Sequence, residues 1–450
     1  MSVRVVVGTR DSVMELYDKV LIKGVSGDGA LSAEVTGRAS HEEYKRLLGS
    51  AVRSLGIEGN AKKAMRGCAS KPYGIAADKM TGDLLGAAGS FAEALLSGAP
   101  IVVRFHNDGD GASGAVALNR SVSAIQKRHF TGDRGITWSM HRGIDYDTPS
   151  FYGDSLLFNS YKSIEKPLVL ITDFGTAPGS ERAIGEARGK YTLVWLDHHP
   201  VYESFPARDV PHYINTWNFG SDSNFTAGLL TCILAESLAG VSTDDMKMAS
   251  LISDYSSYAD RSSMEGQHSA LILDYLTSIA GRRGSAIERL TPAYIESVLG
   301  DREKADAAYS AAANDLSEAL ELGVKNVRSY RCRDGITAFV LDFGALPRSE
   351  SGFPLPGRYT SKLQEKIEGV NGEGTVTLVH YGSYITIRVS KGAAKKVGVL
   401  KIIESLLKFQ DYVESGGGHN EAASVKVREG AVKNVLGMLL KELGASTASQ

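Results

Sequence analysis

Cysteine is scarce in this sequence. Only Cys68, Cys232 and Cys332 occur in 450 residues, far apart and with no CxxC pair. That excludes a disulfide framework and a cysteine-built zinc site, and makes a reduced, cytoplasmic compartment the expected one. Long apolar runs are missing as well. No stretch approaches ~18 consecutive apolar residues, so no transmembrane helix and no membrane partner is expected. Residues 1–10 break at Gly8 and carry charges, unlike the apolar core of a signal peptide. Neither sign of charge dominates: 50 Lys and Arg face 52 Asp and Glu, a net charge of -2. A globally basic coat protein is thereby excluded, while a local basic groove is not. There is no internal repeat and no low-complexity block.

What remains is ordinary globular material, 43% hydrophobic and 23% charged, with length for several domains of about 100–200 residues each. Residues 1–85 read as a small N-terminal accessory domain. It has short strands at 4–7 and 19–22, a helix near 41–55 and a basic segment with Lys62, Lys63, Arg66 and Lys71. Residues 86–265 carry buried-strand runs at 101–105, 167–171 and 191–196, separated by helical segments. That is the signature of crossover-connected parallel strands. A helical connector is expected over 266–325. Residues 326–445 form a second, smaller α/β domain, with strands at 336–342, 375–380, 385–389 and 423–427 and helices at 359–367, 394–409 and 431–443. The fold class is therefore α/β, a parallel-sheet domain followed by a smaller α/β domain with a partly antiparallel sheet.

The densest polar cluster, His106-Asn107-Asp108-Gly109-Asp110-Gly111, directly follows the first run. In extended chain, residues i, i+2 and i+4 point to one side, so His106, Asp108 and Asp110 can converge. The second run ends in Asp173 and the third in Asp197-His198-His199. Ligands of open α/β sheets bind beyond the carboxyl ends of the strands. Three such ends bearing Asp or His make one site, and carboxylates mixed with imidazoles suit Mn²⁺ or a similar divalent ion.

These residues resemble motifs one to three of the DHH phosphoesterases. Asp254 resembles the aspartate of the fourth motif, although it stands in Ser253-Asp254-Tyr255 where the family commonly has Gly-Asp or Ala-Asp, and Asp260 lies close enough to compete. Gly416-Gly417-Gly418-His419, followed by Ala422 and Ala423, resembles the GGGH motif of the DHH-associated domain, with Ser424 where Gly is usual. Arg388 matches that domain's substrate-binding arginine. The resemblance spans roughly residues 95–440. It implies that His106, Asp108 and Asp173 bind one Mn²⁺ and that Asp110, Asp173, His198 and Asp254 bind a second, Asp173 being shared. Mg²⁺ or Co²⁺ would be able to substitute. Asp197 would orient an imidazole, His199 would contact the scissile phosphate or help protonate the leaving group, and a hydroxide held by the two ions would attack phosphorus. Gly416, Gly417, Gly418, His419 and Arg388 would bind the substrate, the glycines forming a loop open to phosphate.

The function so implied is that of a RecJ-like exonuclease on single-stranded DNA or RNA ends. Replication or repair proteins would be its partners. One alternative is a phosphodiesterase of short oligonucleotides or cyclic dinucleotides; another is a non-enzymatic replisome scaffold. Other conspicuous residues read as structural. Trp138, Trp195 and Trp217 are expected in cores, Tyr146, Phe151 and Tyr152 as packing, and His141 with Arg142, Asp145 and Asp147 as a solvated loop.

Overall fold

The computed structural model describes residues 20–27, 30–38, 41–129, 135–160, 165–176, 178–201, 205–280, 290–347, 349, 351–418 and 421–445. The strand expected at 4–7 and the expected substrate-binding residue His419 lie outside them. Two compact units emerge. The first comprises the described residues up to Leu273 with Leu290–Gly300, and the second the remainder.

The first unit opens with an antiparallel hairpin, β1 (Val20–Gly27) and β2 (Ala30–Arg38). Helices α1 (His41–Ser54), α2 (Ile57–Ala69) and α3 (Gly74–Ser97) follow. Residue 85, the expected domain boundary, falls inside α3, whose buried residues run from Ala76 to Leu96. Gly98 then ends the helix in the left-handed conformation that glycine adopts without strain.

The heart of this unit is a sheet of five parallel strands, β3 (Ile101–His106), β4 (Ile136–His141), β5 (Leu168–Thr172), β6 (Thr192–Asp197) and β7 (His212–Asn215), in the order β4-β3-β5-β6-β7. Crossover helices α4 (Gly109–His129), α5 (Thr148–Asn159) and α6 (Glu181–Ala187) connect the first four. Helices α7 (Ala227–Ala239), α8 (Asp244–Ser253), α9 (Met264–Ile279) and α10 (Pro292–Leu299) complete the helical part, the last residues of α9 belonging to the second unit. Strand β5 is buried throughout, which is why it reads as an unbroken apolar run. Val102, Val169, Ile171, Leu193 and Trp195 pack on Phe151 and Phe158 of α5 and Ile184 of α6. Helices α4 and α7 pack on the sheet's other side.

From β3 the chain steps outward to β4, then crosses back to β5. Strand order therefore reverses between β3 and β5, and the loops leaving them diverge into a crevice. The register is even: Phe105 pairs with Thr172 and Thr172 with Leu196, so His106, Asp173 and Asp197 are the next residues on three adjacent strands. His141 pairs with His106 and Asn215 with Asp197. The carboxyl edge of the sheet thus reads His141, His106, Asp173, Asp197, Asn215.

In the second unit the long helix α11 (Arg302–Asn326) leads into a six-stranded sheet. Its strands are β8 (Arg328–Arg331), β9 (Thr337–Asp342), β10 (Thr375–Tyr381), β11 (Tyr384–Val389), β12 (Val413–Gly418) and β13 (Ala422–Val427), ordered β12-β13-β11-β10-β9-β8. Only β9 and β10 run parallel. Tyr359 and Leu363 of α12 (Pro356–Asn371) pack with Phe339, Leu341 and Val379. On the opposite side lie α13 (Lys391–Ala394), α14 (Val399–Leu406) and α15 (Val432–Glu442). The single helix expected over 394–409 is thus two short ones, because the chain turns at 395–398 to bury Val397 ahead of Gly398. The expected glycine loop is also corrected. Gly416, Gly417 and Gly418 end strand β12 and pair with Val425, Ser424 and Ala423 at the sheet edge. Gly418 has φ 135, and a methyl group there would collide with Ala422 O and lie 2.5 Å from Ala423 Cα. Glycine is required by close approach of β13, not by a loop.

Candidate metal centre

His106, at the tip of β3, donates from Nδ1 to Asp108 Oδ2 at 2.7 Å, and the Gly111 amide donates to Asp108 Oδ1 at 3.0 Å. This turn is tight: a Cβ on Gly111 would lie 2.7 Å from His106 N. Burial acts to raise the Asp108 carboxyl, but the imidazolium of His106 overcomes it and holds the group well below the usual carboxylate range.

Asp110, in the first turn of α4, is almost wholly buried. It is held by the Gly228 amide at 3.1 and 3.2 Å from its two oxygens and by the Ser250 hydroxyl at 2.5 Å from Oδ1. Ser250 is steadied by Thr226, the N-cap of α7. A carboxylate therefore meets the positive end of a helix, yet burial still pushes its pKa up.

Asp173 follows β5 with φ 70, a left-handed backbone rare for residues other than glycine. Its amide bonds Leu196 O at 3.0 Å, which fixes the turn to the neighbouring strand. Its carboxyl is 2% exposed, and Oδ2 is buried with no hydrogen-bond partner. His198 Nε2 lies 3.2 Å from Asp173 Oδ1 and His106 Nδ1 3.9 Å from Oδ2. Burial first, then the carboxylates of Asp108, Asp110 and Asp254, push the Asp173 pKa far above normal. A buried acid among three acids is unfavourable unless a cation offsets it.

The third strand end is the most heavily braced. Asp197, fully buried, accepts from the His198 amide at 2.8 Å, from His199 Nδ1 at 2.8 Å and from the Thr176 hydroxyl. Against the cost of burial, His199 and His198 hold its pKa well below normal. His198 donates from Nδ1 to Ser223 O at 2.9 Å, which leaves Nε2 facing Asp173. Burial works to lower its pKa, but Asp254, Asp110 and Asp197 raise it to about 9. His199 is half-exposed, its Nδ1 committed to Asp197.

Asp254 caps the C-terminus of α8, with Oδ2 3.7 Å from His198 Nδ1. Its pKa is raised to about 7, by burial first and then, against the pull of His198, by Asp110 and Asp108. Asp260 is exposed and bonded to Ser262, so it does not join the cluster.

Donor atoms from Asp173, Asp197, His198 and His199 lie within 4.8 Å of one another, and so do those of His106, Asp108 and Asp173. Asp173 belongs to both sets; Asp110 and Asp254 stand outside them. The oxygen- and nitrogen-rich donor set and the unpartnered Asp173 oxygen fit a divalent cation.

Several supporting residues escape sequence reasoning. His141, expected in a solvated loop, instead ends β4 and stacks on Phe174, ring centroids 4.2 Å apart. Asn215 donates to His199 O at 2.9 Å, and Trp217 Nε1 and Ser223 Oγ both donate to His198 O at 2.9 Å. Trp217, expected in a core, is 40% exposed, and Tyr152 packs against Phe151 yet is 52% exposed. Trp195, Tyr146 and Phe151 are buried as expected. In the second unit, Arg388 Nε donates to Ser361 Oγ at 2.8 Å and Nη1 to Ile387 O at 3.0 Å. Arg388 pairs across β13 with Ala422, one register step from the Gly418–Ala423 pair.

The parallel sheet with histidine and aspartate on adjacent strand ends defines the class: the chain has the DHH-domain fold. A solved DHH-domain structure, described as that of a member of a family of ribosomal proteins, matches it with a TM-score of 0.69 and 20% identity, over 87% of this chain and 98% of that one. An uncharacterized protein of Methanocaldococcus jannaschii is 23% identical over 398 residues, covering 78% of this chain. The chain spans about half (52%) of that relative's length. The RecJ of Thermus thermophilus, solved with Mn²⁺, matches with a TM-score of 0.48 and 16% identity, over 79% of this chain and 54% of that one. No protein-family model matches the chain. Among the described residues no helix is long and apolar enough to cross a membrane.

Proposed function

We propose that this protein is a metal-dependent phosphodiesterase that hydrolyses the ends of single-stranded nucleic acid. The observation that carries the reading is Asp173 Oδ2, buried and unpartnered between His106, Asp108 and His198. Keeping that group charged in such a position is costly, and a bound cation would offset the cost. His106, Asp108 and Asp173 would hold one divalent ion, and Asp110, Asp173, His198 and Asp254 the other, with Mn²⁺ the favoured metal. Such ions, when bound, lower the pKa of water and offset charge on a phosphodiester.

The protein's own groups do the rest. The Nδ1–H of His199 is committed to Asp197, which leaves Nε2 to face outward; that nitrogen accepts in the neutral ring and, once the ring is protonated, can donate to a phosphate oxygen or a leaving group. Asp197 keeps that tautomer and stays charged, being locked by Thr176 and two backbone amides. In the second unit, Arg388 and the close-packed glycines of β12 would bind the nucleotide through its phosphate.

The test is digestion of end-labelled single-stranded DNA and RNA, dinucleotides and cyclic dinucleotides in Mn²⁺. Mononucleotide release from long strands supports the reading. Hydrolysis confined to dinucleotides or cyclic dinucleotides would replace it with the small-substrate alternative, and no hydrolysis of any substrate would sink the enzymatic reading altogether.

A further inference from the structure

Trp217 is the residue the proposed reaction does not account for. Its indole N–H is fixed on His198 O at 2.9 Å, and its own amide is fixed on Asn215 Oδ1 at 3.0 Å. Asn215 in turn holds His199 O. One short turn, Thr216–Phe219, therefore ties an indole directly to the His198–His199 pair. Yet 40% of Trp217 remains exposed, whereas Trp195 is fully buried. A large aromatic ring anchored by its polar edge, with surface left open beside a reactive centre, is costly to leave in water. The turn ends at Gly220, where a Cβ would lie 3.7 Å from the ammonium of the exposed Lys79. An exposed ring, with a cation beside the end of the turn that carries it, offers the two elements that single-stranded nucleic acid uses, a π-face for the base and a charge for the phosphate.

We propose that Trp217 is the stacking platform for the base next to the scissile phosphate, with Lys79 on the adjoining phosphate. This rests on the nucleic-acid reading above and deepens it, since it assigns binding energy to a base as well as to phosphate. Because every base has a π-face, the platform is tolerant of sequence and discriminates base-bearing from baseless ends.

Two measurements test it. In kinetics, single strands with ordinary terminal nucleotides are compared with strands whose terminal nucleotides are abasic. Trp217→Ala raises KM for the base-bearing strand about tenfold more than for the abasic one, and Trp217→Phe, which keeps a ring, recovers most of the difference. Equal losses on both strands, or no loss on either, would overturn the platform. In fluorescence, adenosine monophosphate quenches part of the wild-type tryptophan emission, and the quenching disappears in Trp217→Phe. Quenching that survives in that variant, or is absent from the wild type, would equally overturn it. If the wild type hydrolyses no phosphodiester, the catalytic reading fails and the fluorescence result still decides the platform.

Discussion

The amide of Gly228 at the start of α7 donates to both oxygens of Asp110 at the start of α4, at 3.1 and 3.2 Å. The two helices meet so closely that a Cβ on Gly228 would collide with Asp110 O and lie 2.6 Å from Oδ1. Gly228→Ala should therefore displace Asp110, lose about 1–3 kcal/mol of stability through overpacking, and weaken Mn²⁺ binding. Thermal melts and titration calorimetry would show both effects together. Wild-type metal affinity in the variant would remove Asp110 from the ligand set.

Asp173 should be indispensable for metal and unwelcome without it. Asp173→Asn, whose side chain tolerates the left-handed backbone, should abolish Mn²⁺ binding and nearly all turnover while raising the melting temperature of the metal-free protein. Burial among Asp108, Asp110 and Asp254 is the reason. Asp173→Ala should lose both metals as well; wild-type rates in either variant would refute the sharing of Asp173 between two ions.

The metal-free protein should lose stability from pH 7 to pH 9. His198 titrates near 9 in the folded state and Asp254 near 7, both above their ordinary values. The folded state then binds more protons than the unfolded one, so its advantage declines as pH rises through those values. The contributions of the depressed groups Asp108 and Asp197 change only at and below the ordinary carboxylate range, outside this window. Mn²⁺ binding requires deprotonated ligands, so added metal should flatten or reverse the slope. Melts in chelator and in MnCl₂ at pH 7, 8 and 9 give the answer, and a chelated protein that grows more stable toward pH 9 contradicts the assignment.

Asp197→Asn should lower kcat more than it raises KM. The carboxylate accepts the His199 ring N–H and two backbone amides, and an amide in its place can present an N–H to that imidazole instead. Loss of such an orienting partner typically costs roughly ten- to a hundredfold in rate. Steady-state kinetics on a dinucleotide, which does not need a long strand, isolates the effect.

Gly418→Ala should disturb the end of β12, because β13 leaves no room for a methyl group beside Ala422 O. Nucleotide binding by the second unit should fall while Mn²⁺ affinity in the first is retained. Gly417→Ala makes a useful comparison, since φ is positive at Gly418 and not at Gly417.

The legible parts of this molecule are those with a strong local signal. Strands β3, β5 and β6 are buried enough to appear as apolar runs, so the polar residues that end them stand out. Strand β4 is half-buried along its whole length and mixes Thr, Trp, Ser and His, and β7 has only four residues. Neither carries a period, and the edge residues His141 and Asn215 go unrecognised with them. Gly228 and Ser250 acquire their roles only when α7 and α8 approach Asp110, a relation with no local trace. Trp217 misleads because its residue type argues for burial, while its side chain's anchoring bond is to a backbone oxygen. The glycine triplet is plain in the sequence, but its conformation follows from strand pairing with β13, invisible in three glycines.

The sheet that supports the cluster is wholly parallel, and parallel strands pair only after an intervening crossover has been made. His106 and Asp254 are brought together at the end of a long sequence of such closures. On the proposed assignment, the set His106, Asp108 and Asp173 is complete once β5 has docked, whereas the set that includes Asp254 waits for α8. Contacts formed after the rate-limiting step act on the return path. Metal held by the set that includes Asp254 is expected to preserve the native protein by slowing its unfolding, leaving the speed of folding to the apolar strands.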